Sequence, residues 1–232
     1  MKKAVEMAFV YVAVVGFFLT AAWAGSRTVT VMAQREPVER EYTIVIDAGH
    51  GGEDGGAVSC TGVPEKQINL EISLKLDDLL HFMGYQTRLI RADDRSVYTA
   101  GDTIARRKVS DLKERVRMVD ETENAILVSI HQNLFPDARY SGAQVFYGSA
   151  GKELAEIIQN SFKNTLNPGN NREIKRAKGV YLMEHATCPG VLVECGFLSN
   201  PEEEAQLRTK EYQQKICIVI ASTLANFLDC QT

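Results

Sequence analysis

Ile44-Val45-Ile46-Asp47-Ala48-Gly49-His50 is an apolar run of strand length that breaks into a small residue, a glycine and a histidine. Tyr42 to Asp47 therefore predicts a short buried strand with an imidazole just past its carboxyl end. The same plan recurs twice downstream. Ile126-Leu127-Val128-Ser129-Ile130 runs into His131, and Val191-Leu192-Val193 runs into Glu194. Between these strands, Ile68, Ile72, Leu76, Leu79, Leu80 and Met83 recur at spacings of three and four until Gly84, which marks one face of a helix opening near Glu65. A second helix is expected from about Asp111, a third over Lys152 to Leu166 and a last over Glu211 to Leu228; Arg91 to Lys108 reads as loop. Tyr85 to Ile90, Ala143 to Tyr147 and Val180 to Met183 supply further strands. Alternating strands and amphipathic helices predict an α/β domain, with a mostly parallel twisted sheet of about six strands covered by helices on both faces.

Outside this domain, assigned to residues 42–232, the chain opens with Met1-Lys2-Lys3 and an apolar run from Met7 to Ala24 that ends Ala22-Trp23-Ala24. A basic start, an apolar middle and a small-x-small end make residues 1–24 a secretory signal cleaved after Ala24, or, since the run approaches bilayer length, a membrane anchor through residues 7–24. Residues 25–41 read as a polar linker. With a net charge of -4 the protein offers no basic field for phosphates, so nucleic acid is not an expected partner. Five cysteines without a CxxC pair do not form a disulfide framework.

In sheets of this class ligands bind beyond the carboxyl ends of the strands, which is where His50, His131 and Glu194 fall. A hydrolytic zinc site takes three His or carboxylate ligands and leaves a position for water. Two histidines then need a carboxylate. Glu65, after the glycine-rich loop Gly49 to Gly56, and Glu194 both qualify; one would be the ligand and the other the base that takes the water's proton. Spacing alone does not assign them. His81, far along the first helix, and His185, in a loop, are not expected to be ligands.

Ile46-Asp47-Ala48-Gly49-His50-Gly51-Gly52, Glu65-Lys66-Gln67-Ile68-Asn69-Leu70, Ser129-Ile130-His131-Gln132-Asn133 and Pro189-Gly190-Val191-Leu192-Val193-Glu194-Cys195-Gly196-Phe197-Leu198-Ser199-Asn200 closely resemble, in order, the motifs of the zinc-dependent N-acetylmuramoyl-L-alanine amidases. The resemblance spans about residues 43 to 228. It implies that His50, Glu65 and His131 hold Zn2+, that Glu194 is the catalytic acid/base, and that the substrate is peptidoglycan, muramic acid with its stem peptide. Asp111-Leu112 before Arg115 and the run Gly142 to Tyr147 look most like the germination-specific amidases of spore-forming bacteria. That places the expected activity outside the cytoplasm, in a secreted or anchored protein of the spore cortex.

Two other classes compete. A cysteine peptidase acting on wall peptides would use Cys195 or Cys60, although Cys195, next to Glu194 on a strand, should face the other way. A wall-binding regulator would keep the fold without catalysis. Gln132 departs from the small residue common at its position and could narrow the cleft. Asn133 could orient a ligand or cap a loop, and Arg172, Lys175, Arg176 and Lys178 form a basic loop read mainly as solvated charge.

Overall fold

The computed structural model describes residues 41–230 together with the isolated Thr20. The expected leader or anchor and the linker lie outside the described residues, apart from Thr20 and Glu41. The chain divides between Glu39 and Arg40, and the fold is that of the second unit.

Strand β1 (Thr43–Ala48) lies between β2 (Gln86–Leu89) and β3 (Ala125–Asn133), and β6 (Gly190–Phe197), β4 (Gln144–Tyr147) and β5 (Lys175–Arg176) complete the order β2-β1-β3-β6-β4-β5. The first four are parallel, joined by the crossovers that parallel pairing requires. β4 runs antiparallel to β6, and β5 pairs parallel with β4.

Because successive strand residues point to opposite faces, Ile44, Ile46, Ile126, Val128, Ile130, Val191 and Val193 line one face. There they pack against Ile72 and Leu76 of α1 (Glu65–Phe82), Leu154 and Phe162 of α3 (Lys152–Thr165), and Ile216, Ile220 and Leu224 of α6 (Lys210–Asp229). Val45, Leu127 and Leu192 take the other face, beneath Val119 of α2 (Ile104–Asp120) and Leu182 and Met183 of α4 (Tyr181–His185). The fold is thus the expected α/β domain with helices on both faces.

Several elements differ from the sequence expectation. Val180 to Met183 is not a strand but the start of α4. The turn closes because Ala186 N–H donates to Leu182 O at 3.0 Å, and the Glu184 carboxylate accepts from Gly179 N–H at 2.7 Å. α2 starts at Ile104, seven residues before Asp111, since the Thr103 side chain accepts from Arg106 N–H and caps it there. A short helix α5 (Pro201–Leu207) follows β6, with Asn200 as cap and proline in its first turn. The basic loop contributes the two-residue edge strand β5.

Leu76 is fully buried between α1 and the sheet. Leu76→Ala is expected to lower the unfolding free energy by about 2–5 kcal/mol through lost burial and the cavity left behind, read by urea titration.

Candidate metal centre

Past Ala48 the chain turns sharply, with His50 at a φ of 63°, a backbone region that side chains other than glycine seldom adopt. Three consecutive carbonyls, of Ala48, Gly49 and His50, lose their strand partners in this turn. Two arginines serve them. Arg91, just beyond β2, donates from Nε to Ala48 O at 2.8 Å and from Nη2 to Gly49 O at 3.1 Å. Arg115, on α2, donates from Nη1 to Ala48 O at 3.1 Å and from Nη2 to His50 O at 2.7 Å. The Arg115 charge is balanced by Asp47, at the end of β1, and by Asp111 at 2.7 Å. Asp47 also accepts from Ser129 Oγ at 2.6 Å across the β1/β3 register pair. Burial alone would raise the Asp47 carboxyl, but Arg115, His131 and Ser129 outweigh it and hold it below the ordinary range.

On this base the sequence-predicted ligands converge. One ligand atom each from His50, Glu65 and His131 lies within 4.8 Å of the others. Glu65 Oε2 is 3.2 Å from His50 Nε2, and its Oε1 is 2.9 Å from His131 Nδ1. Asp54 Oδ2 stands 3.0 Å from His50 Nδ1. By accepting from Nδ1–H, Asp54 leaves Nε2 as the donor atom facing Glu65, the arrangement in which a carboxylate orients a metal-binding imidazole. Gly49 makes room for the second ring, since a Cβ there would lie 2.2 Å from His131 Nε2. A Cβ on Gly56 would likewise lie 2.6 Å from His50 Cδ2 and 2.7 Å from Glu65 Oε2.

Glu65 is buried at the first residue of α1. Its Oε2 accepts from Ala57 N–H at 2.9 Å, and its Oε1 from Asn69 Nδ2 and Gln132 N–H, each at 3.1 Å. Burial pushes its carboxyl up, yet hydrogen bonds and charge from His131 and His50 prevail and hold it far below the usual range. Burial pulls His50 down, and Glu65 and Asp54 more than reverse this, so its pKa is raised. Two imidazole nitrogens and one ionised carboxylate oxygen, beside a cavity of about 100 Å³ lined by both histidines, are a donor set suited to a divalent metal.

Glu194 pairs with His131 in the parallel β3/β6 register, so the two side chains stand side by side on one sheet face. Its Oε2 is sheltered and has no hydrogen-bond partner, the kind of buried polar atom that calls for a role. Burial pushes this carboxyl up to about 7; His131 and His50 oppose the rise and Glu65 adds to it.

Other expectations resolve residue by residue. Gln132 does not narrow the cleft, because strand alternation turns its buried side chain to the opposite face, where Nε2 donates to Asn69 Oδ1 at 3.2 Å. Asn133 O accepts from Leu198 N–H at 2.8 Å, a backbone link from the end of β3 to the residue just past β6. Cys195 is fully buried in the core on the opposite face from Glu194, and burial raises its thiol well above the ordinary value. Cys60 is exposed in the loop before α1. His81 is exposed, hydrogen-bonded to Thr87 at 2.8 Å, and His185 stacks on Tyr181 at 3.9 Å at the end of α4; neither belongs to the His50–Glu65–His131 group.

Sequence reading gave no role to Asp54, Asn69, Arg91 or Arg115. Asp54 and Asn69 each lie four residues from a candidate ligand, His50 and Glu65 respectively, and that spacing was the available signal. For Arg115 the local signal was Asp111, four residues before it; for Arg91 there was none.

Residues 44–226 match the family described as N-acetylmuramoyl-L-alanine amidase. The germination-specific N-acetylmuramoyl-L-alanine amidase of Bacillus subtilis strain 168 is 38% identical over 177 residues, 75% of this chain and 74% of that protein. Among solved structures, the CwlD amidase from Clostridioides difficile, in complex with the GerS lipoprotein, superposes with a TM-score of 0.77 at 39% identity, covering 81% of this chain and 98% of that one. An N-acetylmuramoyl-L-alanine amidase from Clostridium difficile 630 gives a TM-score of 0.73 at 29% identity over 84% of this chain and 100% of that one.

Arg115→Met leaves Asp47 buried without its cation and His50 O without a donor. Unfolding free energy is expected to fall by about 3–5 kcal/mol in urea titration. Adding Asp47→Leu should recover part of the stability but not divalent-metal binding measured by calorimetry. The raised Glu194 carboxyl sets a second expectation, for metal-free protein. Below the ordinary carboxylate value the group is protonated both folded and unfolded, so Glu194→Gln changes little. As pH rises through about 7 the folded state must hold a buried charge, and stability is lost. The variant should therefore melt higher than wild type at pH about 8 and alike at pH about 4; equal melting at both would remove the basis for a raised carboxyl.

Proposed function

The chain belongs to the N-acetylmuramoyl-L-alanine amidase family, and from that premise we propose that His50, Glu65 and His131 hold one Zn2+ and that Glu194 moves the proton in the reaction. The protein hydrolyses the amide between N-acetylmuramic acid and L-alanine in peptidoglycan. The observation that carries the reading of the site is the convergence of three ligand atoms within 4.8 Å, with Glu194 in register beside His131.

Zinc held by His50, Glu65 and His131 would supply Lewis-acid polarisation of the lactyl amide carbonyl and would bring the pKa of a water toward about 7. The chain's own groups do the rest. Asp54 keeps His50 in the tautomer that offers Nε2. Asn69 and the backbone N–H groups of Ala57 and Gln132 fix both oxygens of Glu65, so the carboxylate cannot swing away. Glu194 Oε2, with no protein hydrogen bond to break, takes the proton of the attacking water. As the C–O bond forms and the C–N bond breaks, it returns that proton to the leaving nitrogen of L-alanine. With the metal bound, Glu194 would be held ionised before the reaction against the upward push of burial.

We place this activity outside the cytoplasm, in spore-cortex maturation or germination. The similarity to the germination-specific amidase supports that reading, and export through residues 1–24, cleaved or kept as an anchor, is consistent with it. Among the described residues no helix is long and apolar enough to cross a membrane. The GerS complex of the Clostridioides difficile relative makes a lipoprotein the class of partner included in this reading.

Glu194→Gln should reduce release of L-alanine N-termini from purified peptidoglycan by roughly 10²- to 10⁴-fold while zinc content by elemental analysis stays at the wild-type level. His50→Ala and His131→Ala should instead lose the metal. In wild type, EDTA should abolish activity and zinc restore it; full activity in EDTA would rule out the metal route.

A further inference from the structure

The antiparallel step from β6 to β4 sets Gln144 directly opposite Glu194, on the same face of the sheet. Arg172, from the loop before β5, reaches Gln144 Oε1 with Nη1 at 3.5 Å and donates from Nε to Ser141 O at 3.1 Å. Its guanidinium lies 4.3 Å over the Phe197 ring and 5.3 Å over that of Tyr140. Arg172 also lines a cavity of about 650 Å³ with Tyr140, Asn170, Asn171 and Glu202.

Three observations separate this arginine from ordinary surface charge. It is only partly exposed, and two aromatic rings and a carbonyl fix its direction, whereas Lys175, Arg176 and Lys178 in the same loop are exposed. No carboxylate forms an ion pair with it among the described residues. Glu203, close enough for its carboxyl to respond to the Arg172 charge, has both oxygens engaged by backbone, at 2.8 Å from Gly142 N and 2.7 Å from Phe197 N. Arg139, on the same cavity wall, is already held by Asp137 at 2.7 Å. A guanidinium fixed in place and without an ion-pair contact among the described residues is prepared for a planar anion, since little side-chain freedom is lost when one binds. Glu202, also without an ion-pair partner among the described residues, makes the cavity complementary to a peptide carrying both charges rather than to a polyanion.

We propose that Arg172 is a specificity-determining residue that binds a carboxylate of the peptide stem, and that the cavity it lines is the stem-peptide subsite. The proposal rests on the amidase reading of the neighbouring site. Of the basic loop it assigns the role to Arg172 alone.

The test uses two muramoyl-peptide substrates that differ only in whether the stem carboxylates are free or converted to carboxamides. Wild type should show a KM roughly ten- to a hundredfold lower for the free acid, the range expected of one charge-assisted contact. Arg172→Gln should raise KM for the free acid to that of the carboxamide without lowering kcat, and Arg172→Lys should keep part of the preference. A wild type indifferent to amidation overturns the subsite, whatever the variants do. So does a folded Arg172→Gln that retains the preference. Wild type that cleaves neither substrate, when supplied with zinc, overturns the amidase reading itself.

Discussion

The turn after β1 exists because two buried guanidinium groups accept the job of three abandoned carbonyls. At the carboxyl end of a parallel strand the backbone must either continue pairing or satisfy its oxygens elsewhere. Here Arg91 and Arg115 satisfy Ala48, Gly49 and His50 together, from two different elements. Neutral donors could fill some of these positions, but guanidinium offers several donors in one rigid plane. Its charge is the difficulty, met by Asp47 and Asp111 around Arg115. The strained φ of His50 is thus over-determined by its surroundings, as such residues at functional sites usually are. Every later feature of the centre, including the direction of His50 Nε2, depends on that turn.

This scaffold also shows which parts of the molecule could be read from sequence. His50, His131 and Glu194 were legible because each directly ends or follows an apolar strand, and strand ends share one edge. Glu65 was legible as a candidate because it opens a helix next to the glycine loop. Continuous apolar runs likewise marked β1, β3 and β6, and period-3.6 patterns marked α1 and α6. The service of Arg91 and Arg115 to the turn was not legible, because the carbonyls of Ala48, Gly49 and His50 lie more than 20 residues away from them, and backbone oxygens carry no sequence signature. The antiparallel direction of β4 was equally hidden, since Val145 and its neighbours read the same in either direction. α4 was misread because Leu182 and Met183 are apolar in a stretch too short to establish a period, and a capping contact from Glu184 decided it.

The electrostatics of the centre divide two glutamates of the same chemistry into opposite states. Both are sheltered, and burial pushes both carboxyls up. Glu65 touches both imidazoles and three further donors, so its charge is solvated by the protein. Glu194 has a sheltered oxygen with no donor and is left near 7. A permanently ionised carboxylate suits holding a cation, while one balanced between forms suits taking up and giving back a proton. Bottom-up reading of spacing left these two roles interchangeable. Their surroundings differ, since Glu65 accepts from three donors besides the imidazoles and Glu194 Oε2 has none, and that contrast supports the proposed division of roles.

Strand alternation finally explains why reactive and inert groups can be neighbours in sequence. A one-residue step carries the chain from Glu194 to Cys195 and from His131 to Gln132, and each step crosses the sheet. Cys195 and Gln132 therefore lie under α1 and its companions, where Gln132 braces Asn69 and so, through Asn69, Glu65. The same alternation places Asp47, Ser129, His131, Glu194 and Gln144 on one face, with Asp47 opposite Ser129, and Glu194 opposite both His131 and Gln144. That row ends at Gln144, where the sheet direction reverses and Arg172 comes into reach. An all-parallel continuation would have carried the neighbouring strand's start to the far end of the sheet. The reversal instead returns a loop to the edge that carries His131 and Glu194, so the one antiparallel pairing in the sheet is what sets Arg172 beside Gln144, opposite Glu194.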